Sequence, residues 1–232
     1  MGANPKARPL KTVDRPLRLG ELLAETVHLY GSRFGAVVGL GLFLAGAFVV
    51  ADLISHIVAF VAIAAIAFTA AYGAAARIVA GDRFAEAWAQ VGLRTPVLLV
   101  LALVVAVPFV LGRIDPVLFI FAVAWLAFVG LSIPVAMLER DPEATSWYGR
   151  IAFALSRSVA LSRAEYLHAL GIVAALVILY LVLGPVLAVL LVGFADNGRF
   201  AAITIANGIL GPFFFFGLTV LYFEQKARVR TS

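Results

Sequence analysis

The sequence predicts an all-α integral membrane protein with six transmembrane helices arranged as three hairpins. Three observations predict this class: the composition, the spacing of apolar segments and the distribution of basic residues. Hydrophobic residues make up 63% of the 232 residues, charged residues 13%, and the mean hydropathy is +1.05. A soluble domain averages about 45–50% apolar and about 25% charged residues. The chain therefore has too few polar side chains to cover a soluble core of its size.

The apolar segments have the length of membrane spans. A helix needs about 20 mostly apolar residues to cross the hydrocarbon core of a bilayer. Six segments meet this requirement: 34–53, 57–78, 95–112, 115–138, 167–193 and 200–223. The breaks between them are alternately short, as expected of tight hairpins, and long with several charges. Because the first span follows a long polar segment, we expect it to be retained and not cleaved as a signal peptide.

The basic residues predict the orientation of the spans. With six spans, both termini lie on one side, and sixteen of the eighteen Lys and Arg residues fall on that side. Only Arg113 and Arg199 fall on the other side. Cytoplasmic loops carry an excess of Lys and Arg, so both termini are predicted to be cytoplasmic. The same bias explains the net charge of +5 without a nucleic-acid partner.

Each predicted hairpin follows a segment with helical amphipathic periodicity, at 17–33, 82–93 and 148–163. Such helices lie in the headgroup plane, with their apolar face toward the acyl chains. The residues predicted to anchor them there are Leu23, Tyr30, Arg33, Phe84, Trp88, Arg94, Arg157 and Arg163. Two interpretations remain open: a three-fold internal repeat, or unrelated amphipathic connectors that each end in a snorkelling arginine.

Glycine spacing at the start of the first span predicts close helix packing. Gly31, Gly35 and Gly39 recur every four residues, and small residues at this spacing let a second backbone approach. The partner would be a helix of this chain or of another. Four prolines also lie inside the spans, at 108, 134, 185 and 212. They predict kinks, since no buried polar groups accompany them as in the broken helices of transporters.

Residue patterns for catalysis are missing from the sequence. There is no H-E-x-x-H, phosphate-binding P-loop or Gly-x-Ser-x-Gly motif, and no cysteine. The three histidines, at 28, 56 and 168, lie in unrelated segments. Asp52 and His56 are four residues apart and suit a metal ion in principle, but a solvated turn explains them better. We therefore predict no enzymatic activity, no cofactor and no metal.

The domain organisation predicted from these patterns is a single membrane domain between two tails. Residues 1–16 form a disordered basic cytoplasmic tail, 17–224 the six-span domain, and 225–232 a second basic cytoplasmic tail. The first tail is a candidate for binding anionic lipids, a candidate arm for a partner protein, or only a topology signal.

Three segments together resemble a bacterial membrane family. The opening RPLRLGELLAETVHLYGSRF (15–34) is similar to the start of proteins grouped with the membrane domain of glycerophosphoryl diester phosphodiesterases and the YciC-type uncharacterised inner-membrane proteins. Residues 154–163 resemble its Arg-Ser-x-x-Leu-x-Arg segment, and 221–228 its Leu-Tyr-Tyr-Asp-Leu-Arg-x-Arg ending. The sequence departs from this pattern at four positions: Val159, Ala164, Glu224 and Lys226.

The resemblance implies a six-span helical fold in the bacterial cytoplasmic (inner) membrane. It implies no phosphodiesterase activity, because the catalytic barrel of those enzymes has no counterpart in this sequence. The function predicted first is a non-enzymatic scaffold or accessory subunit of a membrane assembly. The alternative is a transporter or lipid-handling protein with a cavity between the hairpins. The expected partners are the lipid bilayer and either a membrane protein or further copies of the chain.

Overall fold

The computed structural model describes residues 17–54, 57–111, 116–140, 146–192 and 198–231. These residues form α-helices joined by short breaks, without a β-strand among them. The helices are α1 (Leu19–Ser32), α2 (Phe34–Asp52), α3 (Ile57–Val79), α4 (Phe84–Leu93), α5 (Thr95–Leu111), α6 (Pro116–Val129), α7 (Ser132–Leu138), α8 (Trp147–Ala164), α9 (Tyr166–Val192) and α10 (Gly198–Thr231).

Five of the helical segments are long and apolar enough to cross a membrane. They are α2, α3, the pair α6–α7, α9 and α10. A sixth span results if α4 and α5, which are bent by 84° at Arg94, are counted as one. The predicted all-α, multi-pass membrane class is confirmed. The described helices begin and end within a few residues of the predicted spans, except at the end of α10.

Two of the breaks have a proline as their physical cause. Proline has no N–H to donate and its ring clashes with the carbonyl four residues earlier. Pro96 therefore conflicts with Gly92 and ends α4, while the Thr95 hydroxyl donates to the Gly92 carbonyl at 2.9 Å. Pro134 conflicts with Gly130 in the same way and divides the predicted span 115–138 into α6 and α7.

The element order repeats three times, a shorter helix followed by two long segments. The first two units begin alike, because the Glu21 carboxylate accepts from the Arg18 backbone N–H at 3.0 Å and Glu86 accepts from Arg83 at 3.1 Å. These bonds satisfy helix N-terminal donors that lack a partner within the helix. The third unit begins differently, with the Ser146 hydroxyl accepting from a backbone N–H.

Five helices form a ring in which each packs against the next: α3, α5, α6, α9 and α10. Helix α2 lies outside this ring against α3 and α10, and α1 packs mainly on α10. Helix α7 packs on α3 and α8. The ends of α3, α7 and α10 lie at one end of the bundle with α8 and the α4–α5 bend, which we call the charged end. Helix α1 runs along α10, and its Tyr30 reaches Ile209 in the first half of that helix.

Two of the three glycines predicted to pack closely, Gly31 and Gly35, do not pack against another described helix of this chain, so packing against another chain stays a prediction for them. A Cβ atom on Gly31 or Gly35 would meet no atom within 4 Å, because both lie on the exposed face of their helix. Only Gly39 is packed, against the Phe84 ring. The close backbone approach lies elsewhere, between α2 and α10, where a Cβ on Gly41 would come within 2.3 Å of the Gly208 carbonyl oxygen.

The prediction of a separate C-terminal tail at 225–232 is wrong for the residues that the structure describes. Helix α10 continues to Thr231, and Gln225 is fully buried. At about 1.5 Å per residue, its 34 residues span about 50 Å. This exceeds the hydrocarbon thickness of about 30 Å, so the end of α10 packs against the charged end and is not a separate tail. The predicted tail 1–16 lies outside the described residues.

Candidate functional site

The ring of five helices surrounds a partly open cavity of about 380 Å³. Its wall is built from alanines and large apolar or aromatic side chains, which leave space because alanine occupies the positions between the bulky residues. The lining residues are Phe60, Val61, Ala64, Ala65, Phe68, Thr69, Tyr72, Ala102, Val105, Ala106, Phe119, Leu126, Ile133, Val177, Tyr180, Leu181, Phe214, Phe215 and Leu218. We call this space the five-helix cavity.

Polar groups are few among the described residues that line the five-helix cavity, and none of these is charged. The hydroxyl-bearing residues are Thr69, Tyr72 and Tyr180. The Tyr180 hydroxyl donates to Asn207 on α10, and the Tyr72 ring stacks on Phe215 with centroids 5.4 Å apart. The Tyr180–Asn207 hydrogen bond joins α9 to α10, as polar side chains commonly do between membrane helices. The wall suits an apolar ligand or an apolar segment of a ligand.

A layer of buried side chains closes the cavity toward the charged end. Leu98, Leu101 and Met137 are buried there. A Cβ on Gly73 would already touch Met137, Val91 and Leu98 at 3.5–3.6 Å, which is ordinary van der Waals contact. These buried side chains lie between the lining residues and the charged end along α3, α5 and α7.

Beyond this layer, at the charged end, Glu139 gathers three partners from two helices. Its Oε1 accepts from the Tyr222 hydroxyl at 2.8 Å and pairs with Lys226 Nζ at 2.9 Å. Its Oε2 accepts from Arg157 Nε at 3.2 Å. We call these four residues the Glu139 cluster. It ties the end of α7 to α8 and α10.

Two opposing effects act on the pKa of Glu139. Burial raises it, but the hydrogen bonds from Lys226 and Tyr222 and the charges of Lys226 and Arg157 outweigh burial and lower the pKa below its ordinary value. Opposite charges and hydrogen bonds favour the ionised carboxylate. Glu139 is therefore an anion at neutral pH, and the cluster acts as a clamp between helices.

A second group of charges lies beside the Glu139 cluster. The fully buried Glu224 pairs with Arg228, which also pairs with Glu165 at the start of α9. His168 Nε2 lies 3.5 Å from Glu224 Oε1. These contacts bring the end of α10 against the first turn of α9. Such buried charges require partners because desolvation is costly.

The structure brings most of the predicted anchoring residues into contacts within the protein. The Tyr30 hydroxyl donates to the Ile209 carbonyl at 3.0 Å, Trp88 packs on Phe43, and Phe84 lies on Gly39. Leu23 packs against the core, Arg33 ends α1, and Arg94 donates to the Ala136 carbonyl. Arg157 belongs to the Glu139 cluster, whereas Arg163 is exposed. Their anchoring role in a membrane stays a prediction.

The sequence analysis offered a cavity between the hairpins only as part of the alternative function and named no residue of its wall, and it missed Glu139. A cavity depends on which faces of distant helices meet, and that leaves no local pattern. A weak signal existed for the cluster, since Tyr222 and Lys226 are four residues apart and share a helix face. The Asp52–His56 hypothesis cannot be assigned a geometry, because His56 and the Asp52 side chain lie outside the described residues. Within the described part, no group of three acidic or histidine side chains could hold a metal ion.

Comparison with known proteins gave no match to a family model, to a curated protein or to a solved structure.

Proposed function

We propose that the chain is a non-enzymatic, lipid-handling membrane protein that holds an apolar chain in the five-helix cavity. The observation that carries the proposal is the cavity itself, whose wall is apolar and without a charged side chain as far as the structure describes it. Its volume of about 380 Å³ lies within the range of about 300–1,000 Å³ that is common for ligand pockets. The substrate class is an acyl or isoprenoid chain.

The apolar wall of the partly open cavity supports a bound chain. Side chains that face a gap lose the dispersion energy that packing partners would supply. A lipid tail that fills the space would recover much of this energy through dispersion contacts. Since bilayer tails are as apolar as leucine, contact and fit would select the ligand, not the hydrophobic effect.

The buried side chains at the charged end favour entry of a ligand into the cavity from the bilayer. The buried side chains Leu98 and Met137 lie between the cavity and that end, and the described wall offers no charged group to a polar solute. Lipid handling is therefore favoured over transport of a polar solute across the membrane.

The test is to extract and quantify lipid that remains with the purified full chain in mild detergent. Ala106 lines the cavity, and its neighbour Val107 is 52% exposed on the same helix. Ala106→Phe should displace the bound lipid, whereas Val107→Phe should retain it. A folded Ala106→Phe variant with an undiminished lipid content, or wild type without stoichiometric lipid, would contradict the proposal.

A second candidate function is the scaffold or accessory subunit. Gly31 and Gly35 have open space where a Cβ would lie, and Leu42 on the exposed side of α2 is 70% exposed. A surface of this kind fits a helix of another subunit. Gly35→Leu should then leave thermal stability unchanged and release the partner, while Gly171→Leu, at an open glycine on α9, should not. Retention of the same partners by both variants would contradict this function.

We further propose six spans, with α5 as the span of the bent α4–α5 pair and both termini in the cytoplasm of a bacterium. The basic residues at the ends of the spans support this orientation. In this arrangement α4, α8 and the start of α1 lie in the headgroup region of the inner membrane, and the end of α1 packs against α10 at Ile209. Membership of the YciC-type family is part of the same proposal and is supported by the three segments described above.

A further inference from the structure

Two half-buried arginines lie side by side at the end of α7. Arg77, at the end of α3, donates to the Met137 carbonyl at 3.4 Å, and Arg94, at the α4–α5 bend, donates to the Ala136 carbonyl. The last carbonyls of a helix lack partners within it and favour cations nearby. These contacts hold both guanidinium groups in place at the charged end.

Two further arginines lie on elements next to this pair. Arg140 follows the end of α7 by two residues, and Arg150 lies in the first turn of α8, which packs on α7 and α5. Burial is the largest cause that lowers the pKa of Arg94, and the charges of Arg77, Arg150 and Arg140 lower it further. Both Arg140 and Arg150 are exposed. We call Arg77, Arg94, Arg140 and Arg150 the arginine patch.

The arginine patch carries an excess of positive charge among the described residues. Arg77 pairs with Asp82 at 2.6 Å, and within the described residues this is the one carboxylate within ion-pair distance of any patch member. The remaining guanidinium groups repel each other, so an anion between them would relieve the repulsion. Guanidinium groups bind phosphate through paired, charge-assisted hydrogen bonds.

The surroundings of the patch match the headgroup region of a bilayer. Trp147 is 55% exposed and Tyr148 68% exposed, both in the first turn of α8, one turn before Arg150. Trp and Tyr are enriched where lipid meets water. Leu93, beside Arg94, is 74% exposed, so apolar and cationic groups share one surface.

We propose that the arginine patch binds the phosphate of an anionic phospholipid headgroup. Arg94 forms the fixed floor of the site, and Arg140 and Arg150 close on the phosphate from the exposed side. This site differs from the five-helix cavity, which the buried layer separates from it, and from the N-terminal tail. It does not depend on what occupies the cavity.

The test is native mass spectrometry of the delipidated full chain titrated with dioleoyl phosphatidylglycerol or dioleoyl phosphatidylcholine. Wild type should prefer phosphatidylglycerol. Arg140→Gln combined with Arg150→Gln should weaken that binding about thirtyfold, at about fivefold for each basic residue near an anionic surface. Both side chains are exposed, so the thermal melting of the variant should match wild type.

The matched control is Arg18→Gln combined with Arg83→Gln, which removes two exposed charges from the same end of the bundle outside the patch. It should retain the affinity of wild type. An equal loss of phosphatidylglycerol affinity in the control variant would show that general surface charge attracts the lipid, and it would overturn the site. Undiminished binding by the patch variant would also overturn it. Displacement of the lipid by inorganic phosphate at the same concentration would overturn the assignment to a lipid headgroup.

Discussion

Replacing Gly41 with alanine should separate α2 from α10. The new Cβ would lie 2.3 Å from the Gly208 carbonyl oxygen, whereas ordinary contacts begin near 3.4 Å. The obstacle is backbone, which has no rotamer to change, so the helices must move apart by about 1 Å. The same interface includes Gly211, where a Cβ would approach the Leu44 side chain to 2.6 Å. The displacement would therefore loosen contacts along several turns.

The magnitude follows from two opposing contributions. Overpacking of this kind costs about 1–3 kcal/mol, and the contact with backbone places Gly41→Ala toward the upper end. Replacing a helical glycine by alanine returns about 0.5–1 kcal/mol. The net loss of about 2 kcal/mol should lower the melting temperature by about 4–8 °C, given about 2–4 °C per kcal/mol for a chain of this size.

Thermal unfolding in mild detergent, followed by circular dichroism, measures this effect. Gly46→Ala is the matched control, because Gly46 lies on the same helix with open space around it. It should melt slightly above wild type through its helix propensity alone. If Gly41→Ala melts at or above the control, α2 and α10 do not approach as described, and the packing argument is refuted.

Three further predictions concern other parts of the molecule. Because its neighbours lower the pKa of Glu139 from the ordinary 4.5, ionised Glu139 should stabilise the fold at neutral pH and lose this effect as the pH falls below 4.5. In a pH series of melting curves, Glu139→Gln should lose about 1.5–3 kcal/mol at pH 7 and flatten this acid dependence; an unchanged profile would contradict the clamp. Leu22→Ala, at a fully buried position of α1, should lower the free energy of unfolding by about 2–5 kcal/mol and expose the N-terminal segment to protease. Val27→Ala, at a position that is 60% exposed, should do neither. Equal effects of the two variants would contradict docking of α1. Topology reporters at Asp196 and after Ser232 should lie on opposite sides of the membrane, and finding them on one side would exclude six spans.

The sequence predicted the long helices well because their length is set by a property of each segment alone. About 20 apolar residues in a row are needed wherever a helix crosses lipid, so α2 and α3 begin within a residue of the predicted spans. The shorter helices α1, α4 and α8 also matched the segments that show helical periodicity. In these cases the local pattern and the final structure obey the same constraint.

The glycines and the C-terminal segment show what local patterns leave out. Glycines that recur every four residues identify a glycine-rich helix face, but they do not show whether a neighbouring helix lies there. Gly35 faces open space. Gly41 makes the close contact because of Gly208, which lies far away in the sequence. Similarly, Lys226 and Arg228 resemble a solvated tail until their carboxylate partners on other elements are known.

The docking of α1 on α10 has a consequence for how the protein is made. The Tyr30 hydroxyl and the Ile209 carbonyl are separated by 179 residues, and α2 also packs against α10. The first hairpin to leave the ribosome must therefore wait in the membrane, with its inner face unmatched, until the last hairpin has been inserted. Contacts between distant segments form slowly because a long loop must close first. Quality control of newly made chains should then respond most strongly to premature termination before α10, which would leave every earlier span inserted and the opening helices without their partner.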